Sequence, residues 1–285
     1  MTGRIPASLA RIAATIFAAA AVLGVTAGAA SAEPELIYSN FPTPTPPNVV
    51  SQPFEASGSG QFGGTVEFAG LARKGPSVFV EMSSWGCQSG SWTGSPECIT
   101  TMGAKFEWPV TLNINQVGPG NTVGPLIGSI TKTFKMPYRP SQNNKRCTGT
   151  HAGAYYVGTV GECFHGKLFK IFFTLSKLTL PAKAILSVAY NTSDFGTEPQ
   201  RPKSPACEPN CPYDSLNVGL TEPPNELAPT PVAPSVGTDP QPADAYHNSA
   251  WSGNYCDGGA GGTGTFRLDA GCWTGYQPLF AVKAH

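Results

Sequence analysis

Eight cysteines, Cys87, Cys98, Cys147, Cys163, Cys207, Cys211, Cys256 and Cys272, fall along the chain as four local couples with 10, 15, 3 and 15 residues between partners. Each couple brackets Gly, Asn, Ser or Pro, as a stapled loop would. All lie downstream of a leader-like segment. Arg4 and Arg11 supply its positive start, no charge occurs from Ile12 to Ala30, and Ala30-Ser31-Ala32 ends it with small residues. That pattern predicts a signal peptide over residues 1–32, cleaved before Glu33. The competing reading is a retained anchor, since 19 uncharged residues nearly span a bilayer. The Ala/Gly richness and the cleavage site favour a secreted protein with no membrane span after processing. An even cysteine count in an oxidising compartment reads as disulfides. Number alone permits 105 pairings, and locality favours 87–98, 147–163, 207–211 and 256–272. Short stapled loops of this kind contribute on the order of 2–4 kcal/mol each. Cys207 and Cys211 have C-x3-C spacing without a companion pair, which fits a stapled Pro-rich turn better than half a zinc site.

Between the cysteines the apolar residues recur with period two. Val110, Leu112 and Ile114 alternate with Thr111, Asn113 and Asn115; Phe169, Ile171, Phe173 and Leu175 alternate with Lys170 and Thr174. Such strands have one buried and one wetted face. Further runs begin at Thr65 and Val78, cover 126–136, and return at Leu216–Leu220 and Phe266–Leu268. Ile185–Tyr190, apolar on both faces, predicts a central strand. No mature segment sustains a helical stripe. Eight to ten short strands with Gly- and Pro-rich connections predict an all-β, antiparallel, disulfide-stapled β-sandwich of jelly-roll or Greek-key type.

Residues 33–53, with Phe41-Pro42-Thr43-Pro44-Thr45-Pro46-Pro47, predict an extended Pro-rich lead-in. Residues 54–285 then form a single domain containing a long crossover over 199–242, where 12 of 44 positions are proline. The alternative is a stapled terminal module on a linker, but 243–285 is short for a core of its own.

Charge bears on partners. Eighteen basic residues balance eighteen acids, too few cations for a nucleic-acid-binding protein. The distribution is uneven: residues 132–183 hold nine Lys or Arg and one acid, Glu162, while 194–285 hold ten acids and four bases. Wetted strand faces account for the lysines, and so does docking of an anionic glycan or cell-wall polymer.

Catalytic signatures are thin. HExxH, GxSxG, P-loop and dinucleotide fingerprints are absent, and His151, His165, His247 and His285 are scattered. Glu67, Glu81 and Glu107 sit beside aromatics in β-like runs and are candidates for a glycosidase carboxylate pair, or plain surface acids. The aromatic loops point to binding instead. Trp85 and Trp92 accompany Cys87–Cys98, and Trp251, Trp273 and Tyr276 flank Cys256–Cys272; rigid rings can face a pyranose, or simply pack on their disulfides. Asp257 and Asp269 around the run Gly258–Gly264 offer oxygen ligands for a structural calcium, against the plainer reading of a tight glycine turn. Asn191-Thr192-Ser193 is a formal glycosylation sequon.

The blocks Met82–Cys87, Met136–Ser141, Val188–Thr192, Asp214–Val218 and Tyr255–Arg267 resemble a group of secreted actinobacterial proteins of unassigned function, over about residues 50–280. The resemblance implies one continuous domain through the Pro-rich region and no particular chemistry. The function expected is non-catalytic binding of a glycan or cell-envelope component, a polysaccharide or cell-wall polymer. The alternatives are a structural or host-interaction protein with an extracellular protein partner, and a jelly-roll carbohydrate-active hydrolase. Whether the protein is an enzyme stays open, with non-enzyme favoured.

Overall fold

The computed structural model describes residues 33–191, 216–222 and 233–285. Its strands are β1 Glu35–Ser39, β2 Ser51–Pro53, β3 Ser59–Glu67, β4 Ser77–Ser84, β5 Lys105–Val117, β6 Val123–Pro137, β7 Tyr155–Val157, β8 Glu162–Phe164, β9 Lys167–Thr174, β10 Lys183–Ala189, β11 Leu216–Gly219, β12 Ala245–Ser249, β13 Arg267–Asp269 and β14 Phe280–Ala284. One six-stranded sheet runs β1-β14-β4-β11-β2, with β9 on the other flank of β4. The second runs β13-β12-β3-β10-β5-β6, and β7 pairs with β8 in a small ribbon. All strand pairs are antiparallel. The fold is all-β.

Alternation sets the faces. Val110, Leu112 and Ile114 of β5 are buried while Thr111 and Asn113 are half-exposed. In β9, Ile171 and Phe173 are buried and Lys170, Phe172 and Thr174 are exposed. The doubly apolar β10 lies between β3 and β5 with Ala184–Val188 all buried. Inward residues of both sheets join one apolar cluster: Val78, Val80 and Met82 of β4 with Leu112, Leu186 and Val188 of the other sheet. Phe134 of β6 meets Phe173 of β9 edge-on at 5.1 Å.

Cys87–Cys98, Cys147–Cys163 and Cys256–Cys272 are bonded, as their spacing implies. The proposed Cys207–Cys211 couple, the leader and the sequon's Thr192 and Ser193 lie outside the described residues.

Residues 33–53 differ from the expected lead-in. Glu35–Ser39 pairs with the C-terminal β14, and Ser51–Pro53 pairs with β11. The prolines between them cannot join a ladder, and they cross the outer face of the first sheet as a strap. Leu168 N donates to Pro47 O at 3.1 Å, Ser83 Oγ donates to Asn48 Oδ1 at 2.7 Å, and Phe41 lies under Lys170 Nζ at 4.8 Å. Within the expected crossover, Leu216–Gly219 is a buried strand between β4 and β2. Residues 243–285 contribute β12 and β13 to one sheet and β14 to the other. Glu33–His285 cluster as one compact unit.

Candidate functional site

Beyond the end of β4 the loop closed by Cys87–Cys98 brings Trp85 and Trp92 together with His165. The two indoles meet edge-on at 5.0 Å, and the imidazole stacks on Trp85 at 5.8 Å. Trp85 Nε1 donates to Ser83 Oγ at 3.1 Å. Beneath them Arg139 is fully buried. Its guanidinium donates to Gly153 O at 2.6 Å, Pro140 O at 3.2 Å and Trp92 O at 3.3 Å, tying three loop segments to one cation. Burial pushes its pKa down to about 10, and burial with the Arg139 charge lowers that of His165. Both rings are half-buried and turned on their neighbours.

The C-terminal aromatics are likewise half-buried. Trp251 lies against Gly58, whose φ is +55° and where a Cβ would stand 3.0 Å from the indole. Trp273 contacts Phe62 at 4.8 Å and His247 at 5.8 Å, and Tyr276 packs on the core. The expected binding set Trp85, Trp92, Trp251, Trp273 and Tyr276 therefore forms separate packed groups rather than a row of exposed faces.

Sequence reasoning missed one contact here. His247 Nε2 lies 2.6 Å from Ser59 Oγ, which also meets Ser57 Oγ at 2.6 Å. A serine–imidazole pair is where nucleophile chemistry begins. This one is buried and ringed by Phe62, Tyr255 and Trp273. Burial pushes the His247 pKa down to about 4, so the ring is neutral. The carboxylate of the same layer, Asp269, serves other donors.

Asp269 is fully buried, with Oδ1 accepting Cys256 N and Oδ2 accepting Trp273 Nε1, each at 2.8 Å. Asp257 accepts Gly259 N at 2.8 Å, Gly261 N at 2.9 Å and Arg267 Nη2 at 2.8 Å. Arg267 and these amides hold its pKa down at about 2. Cys256, Asp269 and Cys272 bring donor atoms within 4.8 Å of one another, but the two sulfurs are bonded to each other and offer no thiolate. Asp257 thus caps its own turn, Asp269 bridges Cys256 to Trp273, and each is held by protein donors of its own.

Glu67, Glu81 and Glu107 are not brought together. Glu67 is in register with Lys183, and Ile185 with Asn115. That places Glu107 about 30 Å away along the sheet, well beyond the roughly 10 Å a glycosidase pair tolerates. Glu107 pairs with Lys135 at 3.3 Å. Glu81 belongs to the other sheet, on the face opposite Val80 and Met82, and pairs with Lys170 at 3.1 Å.

An open groove of about 380 Å³ lies where the terminal strand β6 meets β9 and the turn after it. Its floor is Ile127, Ile130, Leu175 and Leu178, partly buried and continuous with the core. Ser129, Thr174 and Ser176 supply hydroxyls to the rim, and Lys177 a cation. Lys132, two residues beyond Ile130 and so on the same face, places Nζ 4.3 Å from the Phe172 ring centre and 5.0 Å from that of Phe134. No carboxylate lines the groove. The sequence carried a trace of it: Trp108 to Thr131 has no charged residue, and Lys132 opens the basic stretch.

Among the described residues no helix is long and apolar enough to cross a membrane. Compared with models of protein families, with curated proteins and with solved structures, the chain matches none.

Proposed function

We propose that this chain is an exported, non-catalytic binding protein whose two sheets pack as a sandwich of jelly-roll or related Greek-key type, and that the β6–β9 groove holds an anionic component of a cell envelope, such as an acidic glycan. The observation that carries the reading is an open groove whose lining holds Lys177 and no acid, with Lys132 on the same face of β6 two residues beyond the lining residue Ile130. Ion pairs among the described residues engage Lys135, Lys170 and Arg267 instead. A volume of about 380 Å³ is in the range of small-ligand sites. The aromatic loops support the same placement, because Trp85 and Trp92 pack on each other and Trp273 and Tyr276 pack on the core. The leader-like segment and the three disulfides support export.

Exposed cations attract over about 8–10 Å at physiological salt, so the interaction is salt-sensitive. Titration calorimetry with polygalacturonate and with dextran tests it. Binding of the polyuronate alone, weakened by salt and by Lys132→Gln with Lys177→Gln, is the expected result. Equal binding of dextran, or no heat from the polyuronate, overturns the acidic-glycan assignment of the anionic ligand. A protein partner is the second reading, favoured by Leu126 and Phe172, 56% and 49% exposed on the two strands that bound the groove.

A further inference from the structure

Resting on that reading, we infer that the ligand of the β6–β9 groove is an anionic amphiphile, with an acyl chain along the floor and an anionic group at the lysines. The floor is aliphatic: Ile127, Ile130, Leu175 and Leu178, with no aromatic ring in the lining. Pyranose faces are matched by flat rings, whereas branched aliphatics match a methylene chain through dispersion and loss of water-exposed apolar area. Gly128 shapes the floor. A Cβ there would stand 2.9 Å from Leu178 Cδ2 and 3.1 Å from Leu175 Cδ2, so the glycine lets the turn leucines lie close on β6, and a side chain would push their methyls back. These side chains sit at the seam where edge strands of the two sheets meet, and the groove is an opening onto the core itself.

A wholly apolar ligand would leave the rim unused. Hydroxyls of Ser129, Thr174 and Ser176 border the apolar strip, and Lys177 stands in the turn. Lys132 Nζ is steered over the rings of Phe134 and Phe172 and lies 3.5 Å from Phe172 O, at the edge of the strip. Lys177 has no acid opposite it in the lining, and residues 132–183 carry nine basic residues to one acid. Charge complementarity therefore selects a negative head group, carboxylate or phosphate, joined to an aliphatic chain.

Calorimetry with monomeric dodecyl phosphate, dodecyl maltoside, dodecyltrimethylammonium and inorganic phosphate separates the terms. Dodecyl phosphate should bind at least about tenfold tighter than the cationic and neutral detergents, which corresponds to about 1.4 kcal/mol, and phosphate alone should bind weakly. Lys132→Gln with Lys177→Gln should erase that preference, and Ile130→Thr should weaken every dodecyl ligand while leaving inorganic phosphate unchanged. Equal binding of all three detergents, or none of dodecyl phosphate, overturns the inference. If polygalacturonate still binds while dodecyl phosphate does not, the amphiphile falls and the anionic-ligand reading stands. If neither binds, both fall.

Discussion

Trp273 donates its indole N–H to Asp269 Oδ2 at 2.8 Å, and the other oxygen of that buried carboxylate takes the amide of Cys256. One side chain thereby ties the beginning of the last stapled loop to the aromatic that packs on Phe62. Asp269→Ala leaves two donors without their acceptor and should cost about 3 kcal/mol, and Asp269→Asn about half as much, since one acceptor oxygen survives. Urea denaturation followed by tryptophan fluorescence measures both. With both aspartates occupied by protein donors, a chelator should leave the melting midpoint unmoved. A large drop on chelation would restore the calcium reading of Asp257 and Asp269.

Gly63 sits in the middle of β3, in register with Ser187 of β10 and Tyr246 of β12. A Cβ at this position would stand 2.3 Å from Leu186 O and 2.5 Å from Ser187 Cβ. The obstacle is backbone in a strand held on both sides, so it cannot turn away as a surface side chain would. Gly63→Ala should destabilise by at least about 3 kcal/mol, the upper end for overpacking. Gly120→Ala, in open space but at φ +61°, should cost about 1 kcal/mol. Comparing the two urea midpoints tests whether the sheet centre is as tight as the geometry requires.

His247 gives the protein an acid-side weakness. The imidazole titrates at about 4 when folded because it is buried, against 6.5 ordinarily. Between those values the unfolded chain takes up a proton that the folded one refuses, so stability falls as pH drops through this window. Above about pH 6.5 the contribution is complete, and below about pH 4 its loss levels off. The total is roughly 3 kcal/mol. His165, lowered in the same direction, adds to the slope. His247→Gln should flatten the dependence of the urea midpoint between about pH 4 and 6.5. An unchanged slope would show that the ring is wetter than its enclosure implies.

What was legible in the sequence is what depends on neighbours in the chain. The parity of Val110, Leu112 and Ile114 fixes which face of β5 is buried wherever β5 lies, and Cys147 finds Cys163 because their loop is short. Pairing across the whole chain leaves no such mark. Glu35 meets Ala284, and nothing in the Pro-rich stretch after Ser39 announces that its flanks are strands. Trp273 and Trp92 were visible as aromatics, but a ring buried against Phe62 or His165 and a ring offered to a sugar have the same local sequence. The β6–β9 groove needed the two sheets in place, since Ile130 comes from β6 of one sheet and Leu178 from the turn that follows β9 of the other.

Glu81 is fully buried on the strap side of β4, 3.1 Å from a Lys170 ammonium that remains 45% exposed. Burial raises the Glu81 pKa, and Lys170 offsets part of the rise. Because the folded carboxyl binds its proton more readily than the unfolded one, this group favours the folded state as pH falls through its titration and opposes it above. Lys170→Met removes the offset and leaves a buried charge alone. Loss of one partner from a buried pair costs about 3–5 kcal/mol, and water on the lysine side reduces that here to about 2 kcal/mol. The loss should be larger at neutral than at acid pH, because the raised pKa lets the carboxyl take a proton as pH falls. Glu81→Gln, which needs no counter-charge, should stay within about 1 kcal/mol of the parent, and adding it to Lys170→Met should recover most of the stability and its pH independence. Urea midpoints of the four proteins at the two pH values close the cycle. Should Lys170→Met weaken the fold equally at both, the lysine acts through its contact with Phe41 in the strap and not through charge.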